Sequence, residues 1–184
     1  VHALKPTVLL GLSGQPQTFT KDVVEAMADY NERPIIFALS NPTSMAECTA
    51  EQAYNWSEGR AVFASGSPFD PVDYNNQTFV PGQGNNAYIF PGVGLGVIVS
   101  QSRIVTDEMF LAAAHSLANQ VKDSDIERGR VYPPLSAIRE VSARIAADVC
   151  KMAYDNGFTD RKEPDDILAD VNAYMYRPVY PHYA

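Results

Sequence analysis

The sequence holds few of the residues on which several kinds of functional site depend. Of its 184 residues, two are cysteines and three are histidines. Cys48 and Cys150 lie far apart in the chain, and two cysteines cannot build a disulfide framework or a zinc site by themselves. We therefore expect both to be buried, unreactive thiols in a protein of a reducing compartment.

Positive charge and long apolar runs are also scarce. The 14 lysines and arginines are outnumbered by 22 aspartates and glutamates, which gives a net charge of −8. An acidic surface repels phosphate backbones and anionic lipids, so we expect neither nucleic acid nor a membrane as a partner. The longest nonpolar run, residues 87–99, is broken by proline and glycine. It is also shorter than the roughly 20 residues that a membrane-spanning helix needs.

The familiar catalytic and phosphate-binding motifs are missing. The sequence has no P-loop, no HExxH and no GxSxG pattern, and its three histidines are scattered. The run GVGLG at residues 92–96 contains G-x-G, but it follows a proline. The dinucleotide fingerprint instead lies between the strand and the helix of a βαβ unit. We therefore interpret the run as close packing of a helix.

Three short apolar runs, residues 7–12, 34–40 and 61–65, have the character of strands. Each is continuous and bounded by turn residues, which is typical of parallel strands buried on both faces. Residues 21–32 carry apolar side chains at helical spacing, and a second helix begins at Thr49, which forms a capping box with Gln52. The alternation of strands and helices predicts an open α/β sheet.

The chain changes character after the third strand. Residues 66–84 are predicted to form a long loop without regular structure, a feature that is often functional. From Asn86 onward we expect helices, one capped by Thr106 and a longer one ending at Asn156 and Gly157. The tail from Pro164 shows no period and is interpreted as an extended arm that packs on another subunit. The predicted domains are residues 1–105 and 106–184.

The ends of the three predicted strands point to a binding site. In an open α/β sheet, ligands bind beyond the carboxyl ends of the strands. These ends read GLSG at residues 11–14, SNPT at 40–43 and SGSP at 65–68, and none of them carries a charge. Small polar residues there expose backbone groups and amides, which favours a neutral or anionic ligand.

Several longer segments, in order and with matching spacing, closely resemble the malic enzyme family. They are NERP (31–34), FALSNPT (37–43), AECTAE (46–51), FASGSPF (63–69), PGQGNNAYIFPG (81–92) and GRVYPP (129–134). The resemblance covers most of residues 8–155. The tail, with MYRP at 175–178, is similar to the plant-type NADP-dependent branch. The resemblance implies the second half of a Rossmann-like domain followed by a helical region.

Malic enzymes oxidise malate at its 2-hydroxyl with NAD(P) and decarboxylate the product to pyruvate. The resemblance implies NADP as the cofactor, with NAD as the alternative, and Mg or Mn in the full-length enzyme. It also implies contacts to the substrate from Asn41, Asn85 and Asn86. The implied contacts to the cofactor come from Leu12, Ser13, Gly14, Ser40 and Asn41.

The resemblance also implies what this sequence does not carry. The metal-binding carboxylates, the catalytic lysine and tyrosine and the first dinucleotide fingerprint of the family are expected upstream, so no catalytic or metal-binding residue is assigned here. We expect a C-terminal fragment that is inactive alone. The full-length protein is expected to be a homo-tetramer or homo-dimer in the cytoplasm or chloroplast.

Two other readings of the sequence are open. The first is a nucleotide-binding module that regulates or assembles something and has no chemistry of its own. The second is a different decarboxylating or amino-acid dehydrogenase on the same fold. The paired asparagines of GQGNN argue against the second, because a site for a different acid need not keep both amides.

Overall fold

The computed structural model describes residues 1–177, which form two compact units. The first unit comprises Val1–Asn85 and Val121–Pro133, and the second comprises Asn86–Gln120 and the chain from Pro134 onward. These units are defined by contacts within the chain. The domain boundary after residue 105 stays a prediction.

The described residues contain both strands and helices. The strands are β1 (Val8–Gly11), β2 (Ile35–Ala38), β3 (Val62–Ser65), β4 (Val72–Tyr74), β5 (Gln77–Phe79) and β6 (Gly82–Gln83). The helices are α1 (Lys21–Tyr30), α2 (Ala50–Trp56), α3 (Phe90–Ser100), α4 (Asp107–Ala118), α5 (Asp123–Ile126), α6 (Ile138–Asp155) and α7 (Ile167–Tyr174). In this part of the chain no helix is both long and apolar enough to span a bilayer.

The first unit is built on a four-stranded sheet in the order β1-β2-β3-β6, and every neighbouring pair is parallel. Helices α1 and α2 connect β1 to β2 and β2 to β3. The three predicted strands and the α/β fold class are therefore confirmed. Helix α2 begins as predicted: the Gln52 N–H donates to Thr49 Oγ1 at 3.1 Å, and the Thr49 N–H donates to Gln52 Oε1 at 2.9 Å.

The core of the first unit lies on one face of the sheet. Its fully buried members include Val24, Met27, Ile36, Tyr54 and Phe63. Strand β1 does not fit the prediction of strands buried on both faces. Val8 and Leu10 are 41% and 53% exposed. They point to the face opposite Leu9, and only Leu9 packs against this core.

The prediction that residues 66–84 form a loop without regular structure is wrong in part, because three short strands lie within this segment. Strands β4 and β5 form an antiparallel hairpin within it, and β6 adds a fourth strand to the sheet. The hairpin turns at Asn75 and Asn76, whose φ angles are 48° and 62°. Two successive residues at positive φ match the twist of a tight hairpin, and asparagine tolerates that conformation better than most residues.

The second unit consists of helices packed around α6. In the glycine-rich stretch of α3, a Cβ built on Gly92 would lie 2.6 Å from Ile145 Cγ2, and one on Gly96 would lie 2.7 Å from Val149 Cβ. A Cβ on Gly94 would meet nothing within 4 Å. Gly92 and Gly96 are one helical turn apart and let the α3 backbone approach α6, so the prediction of close helix packing is confirmed.

The ends of the helices in the second unit agree with the sequence in most places. Helix α4 follows Thr106, although the Thr106 side chain makes no capping hydrogen bond. Helix α6 ends at Asp155 with Asn156 as its C-cap, and Gly157 has a φ of 65°. The expectation of an extended tail is wrong for Ile167–Tyr174, which form α7 with Asp166 as a side-chain cap. Residues 178–184, including the last residue of MYRP, lie outside the described chain.

Candidate functional site

The candidate site lies at the carboxyl edge of the sheet in the first unit. The strands are parallel and in register, with Gly11 opposite Ala38, Ala38 opposite Ser65, and Ser65 opposite Gln83. The residues that follow each strand therefore leave the sheet at one edge. The sequence predicted three such ends, and the structure adds a fourth, since β6 leads directly into Gly84 and Asn85.

The end of β1 is a tight loop that folds towards β2. The Leu39 N–H donates to the Gly11 carbonyl at 2.9 Å, and the Gly14 N–H donates to Ser40 Oγ at 2.9 Å. Gly14 has a φ of 66°, and a Cβ there would meet no atom within 4 Å. Leu12 and Ser13 are exposed. This loop therefore presents open backbone at the surface, and a cofactor contact for these residues stays a prediction.

The end of β2 places two predicted residues in different settings. Ser40 is buried, with 7% of its surface exposed, and its hydroxyl is engaged by Gly14. Asn41 is exposed, and its Oδ1 accepts a hydrogen bond of 2.5 Å from the Ser67 hydroxyl. The amide nitrogen donates to the Leu39 carbonyl at 3.4 Å, so both ends of the Asn41 amide are held by the protein. One N–H and one lone pair of the oxygen remain for a ligand.

The end of β3 lies against Asn41, and the end of β6 is hydrogen-bonded to the end of β3. A Cβ on Gly66 would lie 2.7 Å from Asn41 Nδ2, so only glycine leaves room for the amide. The Gly84 N–H donates to the Ser65 carbonyl at 2.8 Å. Asn85 follows at once and is exposed. Asn86, the third predicted substrate residue, is also exposed and begins the second unit.

One residue at this edge was missed as a site residue. Glu47 is only 1% exposed, and its carboxylate accepts hydrogen bonds from the Ser40 hydroxyl and, at 3.4 Å, from the Ser40 N–H. Burial raises the pKa of the neighbouring Cys48 thiol to about 12, and the charge of Glu47 adds to that rise. The edge is thus uncharged at its surface and has a carboxylate beneath it.

Tyr132 is a second residue that sequence reasoning did not place at the edge. Its ring lies 6.2 Å from the ring of Phe37 on β2. A Cβ on Gly84 would lie 3.3 Å from the Tyr132 hydroxyl oxygen. Burial raises the pKa of Tyr132, so the phenol is protonated at neutral pH. The only signal in the sequence was its position in the segment GRVYPP.

The described residues do not fit a metal ion. Within residues 1–177, no three histidine, cysteine, aspartate or glutamate side chains come together as a metal site requires. His2 hydrogen-bonds to the Tyr30 hydroxyl at 3.0 Å, and His115 is exposed on α4. His182 lies outside the described residues. No chemical step through a metal can be derived from this chain.

An open parallel sheet with small polar residues at its carboxyl edge is the architecture of a nucleotide-binding α/β domain. Comparison with known proteins agrees with that class. Residues 1–154 match the family model described as "Malic enzyme, NAD binding domain". The chain therefore belongs to the malic enzyme family.

Similar proteins extend the same result. The chain is 58% identical over its whole length to the chloroplastic NADP-dependent malic enzyme of Oryza sativa subsp. japonica and covers 29% of that protein. It is 56% identical over its whole length to the NADP-dependent malic enzyme of Vitis vinifera and covers 31% of it. The chain thus spans about a third of the length of these relatives or slightly less.

Solved structures support the fold. The malic enzyme of Pyrococcus horikoshii matches 93% of this chain with a TM-score of 0.67 and 26% identity, and 36% of that protein is covered. The malic enzyme of Entamoeba histolytica matches 92% of this chain with a TM-score of 0.72 and 24% identity, and 31% of that protein is covered. The second likeness concerns the fold alone.

Proposed function

We propose that this chain supplies cofactor and substrate contacts to an enzyme that oxidatively decarboxylates (S)-malate to pyruvate and CO2 while reducing NADP. The match to the malic enzyme family supports the reaction. The plant relatives, which are named NADP-dependent malic enzymes, support NADP over NAD as the cofactor. The chain covers only part of those relatives, so the activity belongs to the full-length product of the gene.

The observation that carries the proposal is the convergence of four parallel strand ends. The open backbone at Leu12, Ser13 and Gly14 lies beside the end of β2, which carries Ser40 and Asn41. A dinucleotide needs close backbone approach and small side chains at such an edge. The described residues fit that need, because Gly14 leaves open space and no charged side chain is exposed among these five.

The chemistry of the amides suits malate. We assign substrate contacts to Asn41, Asn85 and Asn86. The exposed Asn41 amide is oriented by its bonds with Ser67 and the Leu39 carbonyl. Its second N–H can stabilise a carboxylate or a carbonyl oxygen. Asn85 leaves the edge next to β3 through the bond between Gly84 and Ser65. The assignment of Asn86 rests on the family resemblance.

The described residues include candidates for holding the cofactor but none for holding the metal. The residues at the carboxyl ends of the strands would hold the dinucleotide and orient it against malate, where it would supply the acceptor for the hydride from C2. The ligands of the Mg or Mn expected in the full-length enzyme are assigned to residues outside this chain. The first dinucleotide fingerprint, the acid and the base are assigned to the same outside part.

We propose a homo-tetramer or homo-dimer for the full-length protein, in the cytoplasm or chloroplast. The rice relative is named chloroplastic, whereas the Vitis vinifera relative carries no compartment in its name. The net charge of −8 disfavours nucleic acid and anionic membranes as partners.

The test uses the full-length product of the gene with malate, NADP or NAD, and Mn or Mg. We expect reduction of NADP and a fall in kcat/KM of about 100-fold in Asn41→Ala and Asn86→Ala, the scale of one lost transition-state contact. Asn55→Ala, an exposed residue on α2, is the matched control and should retain activity. Dinucleotide binding without any turnover of malate would support a nucleotide-binding module and overturn the proposed reaction.

A further inference from the structure

Glu47 carries a buried carboxylate, with only 1% of the residue's surface exposed. Among the described residues, the other buried polar side chains are serines, which are far less costly to bury. Burial removes the hydration of a carboxylate, which is costly unless hydrogen bonds replace the lost water. An apolar side chain of similar size would fill the same space without this cost, so packing alone does not account for a glutamate.

The backbone of Glu47 is held by pairing with a distant part of the chain. The Phe19 N–H donates to the Glu47 carbonyl at 3.0 Å, and the Gln17 N–H donates to the Ala46 carbonyl at 3.2 Å. The neighbouring Cys48 is fully buried. The carboxylate therefore extends from a fixed backbone and has little freedom to move.

The carboxylate in turn fixes the direction of the Ser40 hydroxyl. Serine has one hydroxyl proton, and Ser40 donates it to Glu47 Oε1. The lone pairs of Ser40 Oγ are then free to accept the Gly14 N–H, which lies 2.9 Å away. A chain of two hydrogen bonds thus connects the buried carboxylate to the positive-φ glycine of the β1 loop.

We infer that Glu47 is a positioning residue of the dinucleotide site, which acts through Ser40 to hold the Ser13–Gly14 loop in its binding conformation. This inference rests on the proposed function for its ligand. Glu47 itself is too deeply buried to touch the cofactor. The buried Ser40 hydroxyl, previously assigned a direct cofactor contact, works mainly through the Gly14 backbone.

The most informative variant is Glu47→Gln, which keeps the size of the side chain and replaces the carboxylate with a neutral amide. If its amide nitrogen faces the Ser40 N–H, two donors oppose each other. If it faces Ser40 Oγ instead, the Ser40 hydroxyl proton loses its acceptor and must turn away. Either orientation weakens the chain of bonds to the loop. Glu51→Gln is the matched control, because Glu51 is exposed four residues further along.

The experiment measures NADPH binding by fluorescence, the KM for NADP, kcat at saturating NADP, and the thermal unfolding midpoint of the full-length protein. For Glu47→Gln we expect the Kd for NADPH and the KM for NADP to rise about tenfold, the scale of a hydrogen bond to a charged group. We expect kcat to stay within about twofold, since no reacting group is lost. Ser40→Ala should raise the same constants, and the double variant should be no worse than the larger single effect.

The outcomes separate this inference from the proposed function. If the wild type neither binds NADPH nor oxidises malate, both fail. If the wild type does both and Glu47→Gln behaves like Glu51→Gln, the inference alone is overturned. A lower unfolding midpoint and lower kcat with an unchanged KM for NADP would show a merely structural role and would also overturn it. If Glu47→Gln does not fold, Ser40→Ala, which leaves the carboxylate in place, decides between the same outcomes.

Discussion

At the end of β1, the side chain of Glu47 fills the space that a side chain on Gly11 would need. A Cβ built on Gly11 would lie 2.6 Å from Glu47 Oε2, closer than any side-chain carbon can approach an oxygen without displacement. Because Glu47 is held by backbone pairing and by Ser40, the carboxylate cannot easily move aside. The absence of a side chain on the last residue of β1 is therefore a condition for burying Glu47.

A first prediction follows for Gly11→Ala. The added methyl group should lower the free energy of unfolding by about 1–3 kcal/mol, the usual cost of overpacking, and should weaken NADPH binding by displacing the carboxylate. Urea unfolding and fluorescence titration measure the two effects. Glu47→Ala removes the obstacle, so the double variant should lose less stability than the sum of the two single variants. If the stability losses of the two single variants add fully in the double variant, the methyl group on residue 11 and the Glu47 side chain do not compete for the same space.

The packing of α3 on α6 gives a second prediction. Gly96→Ala should destabilise the second unit by about 1–3 kcal/mol, because its Cβ would overlap Val149. Gly94→Ala in the same helix meets no atom and should be neutral or stabilise by up to about 1 kcal/mol through better helix propensity. Hydrogen exchange of the α6 amides measures the difference. Equal effects of the two variants would contradict close packing of α3 on α6 at Gly96.

The third prediction concerns the start of α2. Thr49→Ala removes the capping box and should speed exchange of the Gln52 amide hydrogen about fivefold, which corresponds to about 1 kcal/mol. Thr20→Ala is the control, because Thr20 occupies the same position before α1 but makes no side-chain capping bond. If both variants speed exchange at their own helix equally, the capping bonds of Thr49 are not the cause.

The fourth prediction concerns the two thiols. Burial raises the pKa of Cys48 to about 12 and that of Cys150 to about 11, from an ordinary value of 9.0. Both should resist alkylation at pH 8 in the native protein and react quickly in urea, as peptide mapping by mass spectrometry can show. Fast alkylation of either residue in the native protein would contradict its burial.

The same shifts predict how stability depends on pH. Because folding raises both pKa values, the contribution of the thiols to stability is fully present below about pH 9. It is lost as the pH rises towards 11 and 12, since the unfolded thiols ionise first. Cys48→Ala should therefore flatten the decline in unfolding free energy between pH 9 and 11. An unchanged slope would show that Cys48 is not responsible for it.

The strands and helices with strong local patterns were predictable from the sequence. The continuous apolar runs predicted β1, β2 and β3 to within one or two residues, since buried parallel strands carry such runs. The capping box of Thr49 and Gln52 was also read correctly, because all its atoms lie within four residues. Local chemistry determines these features, so one sequence suffices to find them.

The hairpin and β6 were missed because their signals are short. Strands β4 and β5 have three residues each and β6 has two, too few to show alternation. The turn at Asn75 and Asn76 was the available signal, and the surrounding prolines led to the prediction of a loop. Strand β6 exists through its pairing with β3, a contact that no local pattern encodes.

Glu47 was missed as a site residue for a related reason. Glutamate is among the residues least often fully buried, so its sequence position gave no hint of a place beneath the sheet edge. Its burial depends on the pairing of residues 46–47 with Gln17 and Phe19, which only the fold shows. The exposed face of β1 was misjudged in the same way, because exposure depends on neighbours in space.

The fifth prediction concerns the 184-residue chain by itself. It should show no turnover of malate, because the described residues contain no metal-binding cluster and the expected acid and base lie outside it. An assay with NADP and Mn on the purified chain checks this, with the full-length gene product as the positive control. Measurable turnover by the chain alone would place catalytic residues within it.

The most direct test of the central claim is the stoichiometry of the reaction catalysed by the full-length gene product. Supplied with (S)-malate, NADP and Mn or Mg, it should form one pyruvate and one CO2 for each NADPH. Formation of NADPH with oxaloacetate but without CO2 would make it a dehydrogenase that does not decarboxylate. The absence of any malate-dependent NADPH formation would contradict the proposed function altogether.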